Sequence, residues 1–154
     1  KKEILLKEDV FDASIEAFTK SASEKGLEII NDIEPGLRAV ADSDLLQIVA
    51  NNLISNAVKY AVNNTKITVD SAQDAGYLQV RVYSQGNVIS KEDAQKLFKR
   101  FSRLDAQYSK KSQGTGLGLF ISREIIRKHG GDIRLEACEN GNSFIFTLER
   151  GIQS

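Results

Sequence analysis

The chain has 154 residues, 41% apolar and 27% charged, with 21 lysines and arginines set against 21 aspartates and glutamates. This is the make-up of one globular domain large enough to bury a core, and its zero net charge leaves no field to gather nucleic acid or an anionic membrane surface. One cysteine (Cys138) and one histidine (His129) exclude an internal disulfide and a zinc site. No apolar run is long enough to span a membrane and no signal peptide opens the chain, so the expected compartment is the cytoplasm. With no methionine and a start at Lys1, residues 1–154 read as one module cut from a longer protein.

In chain order, Glu3–Lys7 alternates loosely as an edge strand. Phe11, Ile15, Phe18 and Ala22 then recur at helical spacing, with acidic residues at the front and Gly26 past the end. Leu27–Ile33 reads as a strand, Glu34-Pro35-Gly36 as a turn, and Ala39–Ala41 as a short extension. Asp42 or Ser43 caps a helix running to about Tyr60, whose apolar face is Leu45, Ile48, Val49, Leu53, Ala57 and Val58. The strands Lys66–Ser71 and Tyr77–Tyr83 form a hairpin, and Lys91–Phe98 a short helix. Ser102–Gly114 is a polar loop without periodicity. A long helix runs from near Gly116 to Gly130-Gly131, and the strands Asp132–Cys138 and Ser143–Leu148 close the chain around the turn Glu139-Asn140-Gly141-Asn142. The order predicts an α/β two-layer sandwich: a mixed five-stranded sheet with helices on one face.

Two segments carry chemistry. Asn52, Asn56 and Lys59 share one helix face, where two asparagines a turn apart run against helix propensity. An amide oxygen suits Mg²⁺ and a lysine one turn on reaches phosphate oxygens; a solvated polar stripe is the competing explanation, and this helix alone does not choose. Gly114-Thr115-Gly116-Leu117-Gly118-Leu119 opens the long helix, where glycines admit a close ligand and free N–H groups favour phosphate. It follows a long polar loop suited to closing over a nucleotide, not the tight strand of a dinucleotide site.

Together, these segments resemble the sensor histidine kinases. Asn52-Leu-Ile-Ser-Asn56-Ala-Val-Lys59-Tyr60 looks like the family's N box, Leu97-Phe98-Lys-Arg-Phe101-Ser-Arg103 its F box, and Gly114–Leu119 its G2 box, in register along nearly the whole chain. The resemblance implies the Bergerat-type ATP-binding fold shared with gyrase, Hsp90 and MutL, with ATP and Mg²⁺ as cofactors. It implies that Asn56 ligates Mg²⁺ with Asn52 supporting the site, that Lys59 touches phosphates, and that Tyr60 lines the adenine side. Arg103 would reach the terminal phosphate, Thr115, Gly116, Leu117, Gly118 and Leu119 would offer backbone N–H groups, and Phe98 and Phe101 would anchor the lid. Hydrolytic members carry a glutamate base where this chain has Asn52, and an amide cannot take a proton from water. ATP would thus be kept for transfer to a histidine on an upstream dimerisation and phosphoacceptor domain, with a response regulator as further partner. His129 is read instead as a cation near a helix C-terminus. No nucleic-acid or membrane contact is expected.

One box departs from the family. Its Asp-x-Gly-x-Gly adenine motif, the G1 box, aligns with Ser84-Gln85-Gly86-Asn87-Val88, followed by Ile89. Ser84 replaces the carboxylate that accepts from the adenine amino group, a loss of about 1.5–3 kcal/mol for a hydrogen bond to a charged acceptor. Val88 replaces the second glycine and is expected to crowd the base or to be forced to an unsuitable positive φ. The resemblance therefore implies a kinase module with weakened or altered base binding; alternatives are a pseudokinase that docks without turnover, and a serine kinase or hydrolytic ATPase of the same superfamily.

Overall fold

The computed structural model of the chain describes residues 1–74, 76–99 and 118–150. They form β1 (Lys2–Leu5), a π turn (Lys7–Phe11) running on into α1 (Asp12–Glu24), β2 (Glu28–Asp32), β3 (Arg38–Ala41), α2 (Ser43–Tyr60), β4 (Lys66–Gln73) and β5 (Tyr77–Gln85). After them come α3 (Lys91–Lys96), α4 (Gly118–Lys128), β6 (Ile133–Ala137) and β7 (Gly141–Glu149). One five-stranded sheet has the order β2-β4-β5-β7-β6, with β2 parallel to β4 and the remaining pairs antiparallel. β1 and β3 pair separately. This is the mixed sheet expected from the order of elements.

Strand alternation decides which face the helices cover. Ile67 and Val69 of β4, Leu78, Val80 and Val82 of β5, and Phe146 and Leu148 of β7 are all buried in one core. Phe11 stacks on Phe146 with ring centroids 6.3 Å apart, which fastens the start of α1 to the sheet. α2 is the central helix and buries Leu46, Val49, Ala50, Leu53, Ile54 and Ala57; truncating fully buried Leu53 to alanine would cost about 2–5 kcal/mol. Ile48, placed on that face by spacing, is instead 43% exposed, because the buried stripe is centred on the Leu46–Ala50–Leu53–Ala57 row and Ile48 falls on the opposite side of the helix.

Both ends of α2 are tied. Asp42 accepts from the Leu45 N–H at 3.1 Å at the N-cap. At the other end the Lys25 ammonium donates to the carbonyls of Val58 and Lys59, a cation answering the unpaired carbonyls of a helix C-terminus. Burial there pulls the Lys25 pKa below its usual value. His129 is not the cation near a helix C-terminus expected from sequence. It is 4% exposed; Nδ1 lies 2.8 Å from the Ile125 carbonyl, and Nε2 accepts from the Asp42 N–H at 3.1 Å. A ring nitrogen that accepts carries no proton, so the imidazole is neutral and joins the end of α4 to the start of α2. No helix among the described residues is long and apolar enough to cross a membrane.

Candidate functional site

A cavity of about 190 Å³ opens between the C-terminal half of α2, the end of β5, the start of α4 and the start of β7. Its two ends are built differently. At one, Asn56, Lys59 and Tyr60 come from two turns of α2, and Leu119 from the first turn of α4. Helical spacing alone puts the three α2 side chains on one side. Asn56 is half-buried and lines the cavity, and among the described residues its carboxamide has no hydrogen-bond partner. Lys59 is exposed and in no ion pair among the described residues. Among the described residues neither side chain is engaged by the protein.

Asn52 behaves differently from its neighbour. It does not line the cavity; its Nδ2 donates to the Gly118 carbonyl and to the Ser122 hydroxyl, each at 3.0 Å. It ties the described start of α4 to α2. Arg103, Thr115, Gly116, Leu117 and Phe101, with the Ser102–Gly114 loop, lie outside the described residues.

The other end is made of Ser84, Gly86, Asn87 and Ile89 from β5 and the loop after it, with Asn142 and Phe144 from β7. Gly86 is there because the backbone passes close to α2: a Cβ at this position would stand 3.0 Å from the Tyr60 carbonyl oxygen. Val88 does not meet its expectation. Its side chain is 49% exposed and absent from the cavity wall, and among the described residues the only non-glycine at positive φ is Asn64. The loop turns Val88 outward while Asn87 and Ile89 on either side face in, so the valine does not press on the cavity.

Phe98 is buried and packs edge-on against Phe144, centroids 6.2 Å apart, beneath the Arg123 guanidinium at 5.3 Å. Asp132 holds Arg123 at 3.1 Å and Arg127 at 3.3 Å. Partial burial pushes the Asp132 pKa up, but hydrogen bonds from Arg123, the Ile133 N–H and Arg127 outweigh it and hold the carboxyl below its usual value. Asn142 was not singled out by the sequence, where it reads as one residue of a turn; only its register opposite Ser84 reveals it.

Among the described residues no three His, Cys, Asp or Glu side chains converge as a metal site. Among the described residues that line the cavity, the amide oxygen of Asn56 is a donor that fits a hard cation, with the rest of the shell left to ligand oxygens and water.

Residues 41–152 match the family of histidine kinase-, DNA gyrase B-, and HSP90-like ATPases. The chain is 34% identical over 128 residues to the sensor-like histidine kinase SenX3 of Mycolicibacterium smegmatis, covering 83% of this chain and 33% of that protein. It is 36% identical over 129 residues to the sensor histidine kinase WalK of Bacillus subtilis, covering 81% of this chain and 21% of that one. The chain thus spans a third or less of these two curated relatives. The catalytic domain of histidine kinase ThkA, solved nucleotide-free, superposes with a TM-score of 0.84 at 32% identity, over 97% of this chain and 95% of that one. ThkA has also been solved in complex with the response regulator TrrA, matching with a TM-score of 0.80 at 29% identity, over 97% of this chain and 42% of that one.

Proposed function

The chain belongs to the family of histidine kinase-, DNA gyrase B-, and HSP90-like ATPases, as a histidine kinase ATP-binding catalytic domain, and from that premise we propose that its cavity holds Mg·ATP and presents the γ-phosphoryl to a histidine on another domain. The observation that carries the proposal is one cavity lined together by Asn56 and Lys59, whose polar groups have no partner among the described residues, and by Ser84 and Gly86.

Tyr60 and Ile89 would flank the base and Ser84 would meet its edge. Lys59 would act on phosphate oxygens as a point charge. The N–H groups of Gly118 and Leu119, with those of Thr115, Gly116 and Leu117, would receive phosphate at the head of α4. Mg²⁺, held by Asn56 and supported by Asn52 through its hold on α4, would neutralise charge on the phosphates. Arg103 would reach the terminal phosphate. No carboxylate base stands at Asn52, whose amide nitrogen is engaged with α4, so water is not activated and the phosphoryl group is kept for transfer.

The acceptor histidine belongs to an upstream dimerisation and phosphoacceptor domain, and a response regulator is the next acceptor, on cytoplasmic ground. Support comes from the relatives, which are about two and a half and about four times this length, and from ThkA, solved with its response regulator. The degenerate adenine motif weakens the base contact without closing the recess. A docking module that binds no nucleotide is disfavoured by the open cavity. Calorimetric titration with ATP, with and without Mg²⁺, decides: saturable heat strengthened by Mg²⁺ supports the proposal, and no heat in either condition rejects it.

A further inference from the structure

The loop after β5 is held from the opposite hairpin by one side chain. Asn142 stands directly across from Ser84 in the β5–β7 register. Its Oδ1 accepts from the Ile89 N–H at 2.9 Å, and its Nδ2 donates to the Asn87 carbonyl at 2.8 Å. One carboxamide thus supplies both a donor and an acceptor to a segment with no strand or helix partner of its own. The Asn140 carbonyl adds a third tie from the same turn, to the Gly86 N–H at 3.0 Å.

Such an approach needs the first residue of β7 to have no side chain. A Cβ on Gly141 would lie 2.1 Å from the Ser84 carbonyl oxygen, so only glycine lets the hairpin come close enough to set Asn142 against the loop. The consequence is visible in the three residues it spans. Asn87 and Ile89 line the cavity, and Val88 between them is turned to solvent.

We infer that Asn142 is the positioning residue of the base-binding end: it fixes residues 87–89 so that a branched side chain at Val88 stays out of the recess. Oδ1 and Nδ2 each make one hydrogen bond to the loop, so the carboxamide's orientation is set by it. A flexible loop would not be so constrained, and Val88 would then sample the space beneath the base. The effect on affinity rests on the nucleotide reading above; the clamp itself does not.

The test uses this chain with Asn142→Ala, Asn142→Asp, and each combined with Val88→Gly. Without ligand, the Ile89 amide should exchange about tenfold faster or more in Asn142→Ala, since its acceptor is gone. In Asn142→Asp the rise should be smaller than in Asn142→Ala, because a carboxylate oxygen still accepts from the Ile89 N–H although it can no longer donate to the Asn87 carbonyl; amides of the central sheet, unchanged in both variants, show that the chain is folded. Unchanged exchange in Asn142→Ala overturns the inference. With ATP, Asn142→Ala should weaken binding about tenfold, and adding Val88→Gly should recover most of the loss, a non-additivity that a general loss of stability would not give. Equal losses with valine and with glycine overturn it. Should the native chain bind no nucleotide, the proposed function fails, and the Ile89 exchange rate alone still decides for or against the clamp.

Discussion

The two ends of the cavity solve different problems with the same side-chain chemistry. At the α2 end the carboxamide of Asn56 and the ammonium of Lys59 have no partner among the described residues, while at the β5 end the carboxamide of Asn142 is tied to the loop on both sides. Asn52 stands between the two: its amide nitrogen is spent on Gly118 and Ser122, while its oxygen has no hydrogen bond among the described residues. An asparagine with open polar atoms in a cavity is available to a ligand; one whose atoms are already bonded is shaping the wall. The contrast assigns ionic grip to the α2 end and shape to the β5 end, where Ser84 offers the base edge a neutral hydroxyl that both donates and accepts.

The largest expected effect lies at the open end. Asn56→Ala should abolish the Mg²⁺ dependence of ATP binding and weaken it by about tenfold to a hundredfold, the range of a charged hydrogen bond or more; unchanged Mg²⁺-dependent calorimetry would remove Asn56 from the metal site. Ser84→Asp should raise ATP affinity by about tenfold. Because Val88 faces solvent, that single change should give nearly all the gain, and Val88→Gly alone should shift binding by about threefold or less. A large gain from Val88→Gly would show the valine pressing on the base after all.

Asn52→Glu sharpens the contrast through stability. A carboxylate cannot donate to the Gly118 carbonyl, so the change should cost about 1–3 kcal/mol in denaturant unfolding; a variant as stable as the native chain would mean that the Asn52 bridge is idle. Smallest is an acid effect at Asp132, whose folded-state pKa is depressed. Its contribution to stability is fully present above the unfolded carboxyl pKa and lost as pH falls through the folded value. With the side chain 53% exposed, solvent screening keeps it small. Asp132→Asn should therefore lower the melting temperature slightly at neutral pH and not at all well below pH 3.

The sheet, the helices and the α2 end were legible in the sequence because each rests on local periodicity. Asn52, Asn56 and Lys59 share a helix face by spacing alone, and strands alternate where they are half-covered. What spacing could not show is which asparagine is already bonded, since Asn52 is matched by residues 66 and 70 positions away. The β5 end depends on contacts 53 and 55 residues apart, and these set the direction of Val88 against the steric expectation drawn from its place in the adenine motif. His129 follows the same rule: its neutral state comes from the Asp42 N–H, 87 residues away, and not from the helix end beside it.

The unequal ends are tested most directly by titrating the native chain with Mg·ATP and Mg·GTP side by side. With grip at Asn56 and Lys59 and a hydroxyl at Ser84 facing the base, both nucleotides should bind, with affinities within about tenfold of each other. Tight ATP binding with GTP excluded by about a hundredfold or more would contradict it, and would mean that an adenine-specific acceptor operates at the β5 end despite the serine.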